Sequence, residues 1–234
     1  MSEQVERASG AQGASEVETR EFVRELARDV SPVERIARLR TAALRVLAVW
    51  AGVTIVALSL RGLSASLSDP ARMMGGFGAV LAGLSLVGAG GLVAALATAV
   101  PGREPTARAA SGVLGFGLIV ALGLGALLLR GDPSAAVPPN LRSDLACLVL
   151  ASVVALLPSL GALIYVVRAA PPRPVPMLWG IGLGCVGLGA FTAQLSCPDP
   201  ALRHLLVSHA LAPAIGSVVF LVPLWLGYRR LHPA

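Results

Sequence analysis

Six stretches without a charged side chain constrain this chain more than any other feature. Arg45 to Arg61 encloses 15 uncharged residues, Arg72 to Arg103 encloses 30, and Arg108 to Arg130 encloses 21. Asp144 to Arg168 encloses 23, Arg173 to Asp199 encloses 25, and Arg203 to Arg229 encloses 25. A helix needs about 20 apolar residues to cross a hydrocarbon core about 30 Å thick, because each residue rises about 1.5 Å. The short first gap is extended by Ala42, Ala43 and Leu44, with Arg45 snorkelling to the interface. The spacing predicts six transmembrane helices near 43–61, 76–100, 110–129, 145–167, 177–196 and 205–227. Asp69-Pro70, Pro101-Gly102, Gly131-Asp132-Pro133, Pro171-Pro172 and Pro198-Asp199-Pro200 punctuate the links. Charged residues make up 14% of the chain and hydrophobic ones 55%. Soluble domains carry about 25% charged residues, so polar surface here is too scarce to cover a soluble globule. The expected fold is an all-α membrane protein, a six-helix bundle.

The net charge of +6 and a pI near 10.5 would suit a nucleic-acid partner, but position explains the excess. All 19 basic residues are arginine. With a cytoplasmic N-terminus, fourteen of them fall in the inside segments. Five fall outside: Arg61, Arg72, Arg130, Arg142 and Arg203. Setting aside Arg7, Arg20, Arg24 and Arg28, which lie far from the first span, ten still face five. Cytoplasmic loops carry such an excess, so both termini are expected inside, with no direct binding of nucleic acid. The long polar stretch ahead of the first span does not read as a signal peptide.

No span carries an acid or base in its middle, which argues against an ion-coupled transporter, since such groups are costly in lipid and mark transport pathways. There is no phosphate-binding loop, no Ser/His/Asp arrangement and no paired-carboxylate site, so no enzyme activity and no obligatory cofactor are expected. Small residues at Gly117, Ala121 and Gly125, and at Gly180 and Gly184, form ladders that let helix backbones approach closely. They suit packing within the bundle or a homo-oligomer face. Pro158, Pro213 and Pro223 are expected to bend their helices.

The soluble part is the N-terminal segment. Residues 1–14 read as a disordered tail and residues 15–42 as a cytoplasmic amphipathic helical segment. Residues 43–229 are the membrane domain, and 230–234 a cytoplasmic tail. Two capping boxes, Ser15-Glu16-Val17-Glu18 and Ser31-Pro32-Val33-Glu34, each open a helix. Between them Phe22, Val23, Leu26, Ala27 and Val30 make an apolar stripe, flanked by Glu21, Glu25 and Asp29. Residues 1–34 carry a net charge of −4, and residues 35–45 carry +4. The basic stretch suits anionic headgroups, which would repel the acidic helix. That helix needs another surface, either the bundle's cytoplasmic face or the groove of a basic protein.

The predicted topology puts Cys147, Cys197, His204 and His209 in one outer leaflet, with Cys185 mid-membrane as a packing residue. Thiolate and imidazole are the preferred ligands of zinc and softer metals, and an oxidising exterior would also permit a Cys147–Cys197 disulfide. Cys147 and Cys197 are 50 residues apart and no C-x-x-C is present, so both readings stay open.

The tract Phe22-Val23-Arg24-Glu25-Leu26-Ala27-Arg28-Asp29-Val30-Ser31-Pro32-Val33 resembles the N-terminus of the NrsF-like family of multi-pass bacterial membrane anti-sigma factors, the negative regulators of sigma F. Leu145-Ala146-Cys147, Ala169-Ala170-Pro171, the glycines of the fifth span and Leu195-Ser196-Cys197-Pro198-Asp199 followed by His209 are similar too. The likeness covers most of the chain from residue 20; the residues before it and Cys185 depart from the pattern. It implies an inner-membrane protein whose cytoplasmic segment sequesters an alternative sigma factor of the extracytoplasmic-function type. Phe22, Val23, Leu26 and Val30 would be the anchors, with Glu21, Glu25 and Asp29 meeting basic groups. It also implies that Cys147 and Cys197, with His209, respond to heavy metals or oxidants, a metal ion binding transiently. The alternatives are a small-molecule transporter or channel with a regulatory cytoplasmic helix, and a structural membrane subunit.

Overall fold

The computed structural model describes residues 21–25, 38–131, 140–169, 171, 174–199 and 201–231. The chain divides into two compact units, Met1–Arg35 and Ile36–Ala234. In the first, residues 21–25 are helical and Phe22 and Val23 are exposed. The remaining sequence-predicted anchors, Leu26 and Val30, and the acid Asp29 lie outside the described residues.

The second unit contains six helices long and apolar enough to cross a membrane: α1 (Leu39–Arg61), α2 (Gly76–Thr98), α3 (Glu104–Leu129), α4 (Leu141–Ala169), α5 (Pro174–Leu195) and α6 (Leu202–Leu231). No strand occurs among the described residues. The spans fall where the uncharged runs put them, but most begin earlier. The third starts at Glu104 rather than 110 and the fourth at Leu141 rather than 145. Charged residues end an apolar run without ending a helix. Glu104 and Pro105 favour a first turn, where the acid meets the positive end of the helix dipole and proline's missing N–H is not needed.

α2 and α5 are apolar all round and form the centre. α2 lies between α3 and α5, α5 also packs on α4 and α6, and α1 leans mainly on α4. On the outer helices, Ile55, Val56 and Leu60 of α1 and Phe116, Ile119 and Leu127 of α3 are exposed, as lipid-facing side chains must be.

Small residues set the spacing. A Cβ on Gly91 would lie 2.9 Å from the Gly184 backbone, so α2 and α5 touch main chain to main chain. A Cβ on Gly117 would lie 2.8 Å from the Gly83 carbonyl oxygen, and the same closeness holds between α3 and α2. Gly180 faces Ala95 and Gly125 faces Leu206 and Val80, so both glycine ladders serve packing within the chain. Deep in the bundle the Trp50 Nε1–H donates to the Leu188 carbonyl at 3.1 Å, and the Thr54 and Thr192 hydroxyls bond at 2.9 Å, tying α1 to α5.

The α1–α2 and α5–α6 connections meet at one end, where the Ser64 N–H donates to the Leu195 carbonyl at 2.7 Å. At the same end the Gln194 amide donates to the Phe77 carbonyl at 2.7 Å. Pro158 and Pro223 lie inside α4 and α6, which continue through them. Pro213 follows directly on a π-helical turn at Leu206–Ala210, where the Leu211 N–H bonds the Leu206 carbonyl at 3.0 Å. Proline has no N–H to offer the carbonyl four residues back, that of His209, so the regular ladder is interrupted there.

Candidate metal centre

At the α1–α2/α5–α6 end, Cys147 from the first turns of α4, Cys197 from the α5–α6 connection, and His204 and His209 from α6 converge. One ligand atom from each lies within 4.8 Å of the others, and all four residues are buried. The Cys147 and Cys197 sulfurs are 3.8 Å apart, and both are free thiols. Cys197 Sγ lies 3.2 Å from His204 Nε2. The hydrogen bond with Cys147, and then burial, push the Cys197 thiol above its ordinary pKa.

Local geometry explains how a sequence with no metal-binding spacing builds this cluster. Asp144 and Cys147 are three residues apart on α4 and share a face. His204 and Ser208 are four apart on α6 and also share one. His209 is five residues from His204, which in a regular α-helix would turn it about 140° away. The π-helical turn at Leu206–Ala210 reduces that offset, because its wider i→i+5 turn brings the fifth residue closer to the face of the first. The two imidazoles stand 5.3 Å apart between ring centroids, nearly perpendicular.

Asp144 is the hub of the surrounding shell. Its Oδ1 accepts from His204 Nδ1 at 2.5 Å and from the Ser208 hydroxyl at 2.6 Å. With Nδ1–H committed to the carboxylate, His204 presents the Nε2 lone pair to Cys197. Asp199 stands at the rim with an oxygen 4.0 Å from His204 Nδ1, and it lines a cavity of about 470 Å³ with Arg72, Phe77 and Leu202. His209 differs from the rest. It is fully buried, and neither ring nitrogen is within hydrogen-bond geometry of a partner among the described residues.

A family model described as "Negative regulator of sigma F" matches residues 26–232. The chain belongs to this family. The match takes in all six spans and the converging cysteines and histidines, in a family described as negative regulators of a sigma factor. No curated protein and no solved structure matches the chain.

The sequence-predicted residues Cys147, Cys197 and His209 are brought together, and Cys185 stands apart in the packed core. Asp144 and Ser208 were not singled out by sequence. Asp144 served there only to bound an uncharged run, though its three-residue spacing from Cys147 was a usable signal. His204, which the sequence groups with the two thiols and His209, joins them in the cluster. Of the sigma-binding candidates, only Glu21, Phe22, Val23 and Glu25 lie among the described residues.

Proposed function

We propose that this protein is an inner-membrane anti-sigma factor, with both termini cytoplasmic, that holds an alternative sigma factor of the extracytoplasmic-function type away from RNA polymerase. The family match over residues 26–232 carries the reading. The acidic amphipathic tract supplies the binding element. Phe22, Val23, Leu26 and Val30 insert into an apolar groove, while Glu21, Glu25 and Asp29 face basic groups of the sigma factor. Electrostatics support this assignment, because the net charge of −4 over residues 1–34 keeps the tract off anionic lipid while the following +4 stretch stays on it.

Release follows a signal on the outer side, taken up by Cys147 and Cys197 with His209, through binding of a heavy metal or through oxidation. α4 and α6 both carry site residues and run the length of the bundle, so a change in their relative position at the site reaches the opposite end. Copurification tests the reading. The full chain in detergent should retain a co-expressed extracytoplasmic-function sigma factor from the same genome, and the Phe22→Asp/Leu26→Asp double variant should lose it while reaching the membrane at the same level. Full repression by that variant overturns the anchoring.

A further inference from the structure

A buried imidazole ordinarily finds partners for its one donor and one acceptor nitrogen, because leaving either unpaired forfeits its hydration. His209 has none among the described residues, at zero exposure, and its ring lies among two thiols and a second imidazole. A ligand that takes a nitrogen lone pair would resolve this.

The spacing of the other groups says what kind. Two sulfurs bound tetrahedrally at about 2.3 Å from one ion stand roughly 3.8 Å apart, and a sulfur and an imidazole nitrogen stand roughly 3.5 Å apart. The Cys147–Cys197 separation is 3.8 Å and the Cys197–His204 separation is 3.2 Å. The outer shell also has the form that metal-bound histidines use, with Asp144 fixing the tautomer of His204 and Ser208 fixing Asp144. Hard cations seek oxygen ligands, and none of the four donors is an oxygen.

We propose that Cys147, Cys197, His204 and His209 form a four-coordinate site for one divalent cation of the zinc–cadmium class, with Asp144 as the residue that positions His204. Binding forms two metal–sulfur and two metal–nitrogen bonds and releases both thiol protons, with no change in oxidation state. Asp199, half-exposed at the rim, gives an arriving cation its first carboxylate contact. As the input to sigma release the site rests on the function proposed above, but as a metal site it can be tested without a sigma factor.

The test titrates cobalt(II), as a spectroscopic probe, into the reduced full-length protein in detergent, followed by competition with cadmium. The expected result is one cobalt per chain, with intense visible bands of a tetrahedral thiolate–imidazole complex that cadmium bleaches. Cys147→Ser and Cys197→Ser should each remove one of the two thiolate contributions to the sulfur-to-cobalt charge transfer, and the double variant should abolish it. His209→Ala should shift the visible bands, and Cys185→Ser should leave the spectrum unchanged. Asp144→Asn should keep the band shape and weaken affinity about 10- to 100-fold, a result a merely structural role would not produce. Far-UV circular dichroism confirms that each variant is folded. Octahedral or absent bands in the folded protein, or bands untouched by His204→Ala and His209→Ala, overturn the proposal. If the ion binds as described and the copurified sigma factor stays bound, the metal site stands and its role as the release signal fails.

Discussion

A Cβ on Gly184 would run into the Leu92 backbone nitrogen of α2, so Gly184→Val must separate the two central helices. The expected cost is about 1–3 kcal/mol, the usual penalty of overpacking, read by denaturation in mixed micelles. Gly112, with nothing among the described residues within 4 Å of its would-be Cβ, is the control, and Gly112→Ala should be neutral. Thr192 illustrates a smaller term. Its hydroxyl bonds Thr54 at 2.9 Å and the Leu188 carbonyl at 3.0 Å inside the bundle. Thr192→Val should cost about 0.6 kcal/mol, since hydrogen bonds between membrane helices are weak relative to an unfolded state that also finds partners.

At the scale of elements, the π-helical turn of α6 is what puts His209 beside His204. Inserting one alanine after Val207 should carry His209 about 100° further round and break up the cluster, while the protein still inserts. Loss of the cobalt spectrum at unchanged membrane yield checks this. An unaltered spectrum would mean that the turn has no part in the site. The N-terminal tract makes the complementary prediction. Charge reversal by Glu21→Lys/Glu25→Lys should weaken sigma-factor retention and make what remains more salt-sensitive, as measured by copurification across ionic strength.

For the whole molecule the question is orientation. Six spans put the ends of the membrane domain on one side and the Cys197 connection on the other. The arginine asymmetry, fourteen against five, leads us to expect the side of the termini to be cytoplasmic. Paired reporters should show alkaline phosphatase active when fused after Cys197 and green fluorescent protein bright when fused after Arg230. The opposite pattern would remove the basis for an extracytoplasmic signal.

The uncharged runs by themselves determined that the chain makes six membrane-length helices, because lipid leaves a backbone few alternatives and counts only length and apolarity. They determined helix ends less well, since Arg108 and Asp144 end an uncharged run without breaking a helix. The thiols and imidazoles could be placed in one leaflet, because depth along a helix follows from residue count. Whether they meet was decided only by the tertiary structure. It depends on which helices are neighbours, and that follows from close contact of α5 with α4 at Gly189 and Ala151 and with α6 at Gly182 and Ser217. It depends also on one π-helical turn ahead of Pro213 and on a carboxylate, Asp144, that a count of charges treats only as the edge of a span. Neighbour choice and rotation about a helix axis are properties of packing between segments far apart in the chain, and no window of sequence contains them.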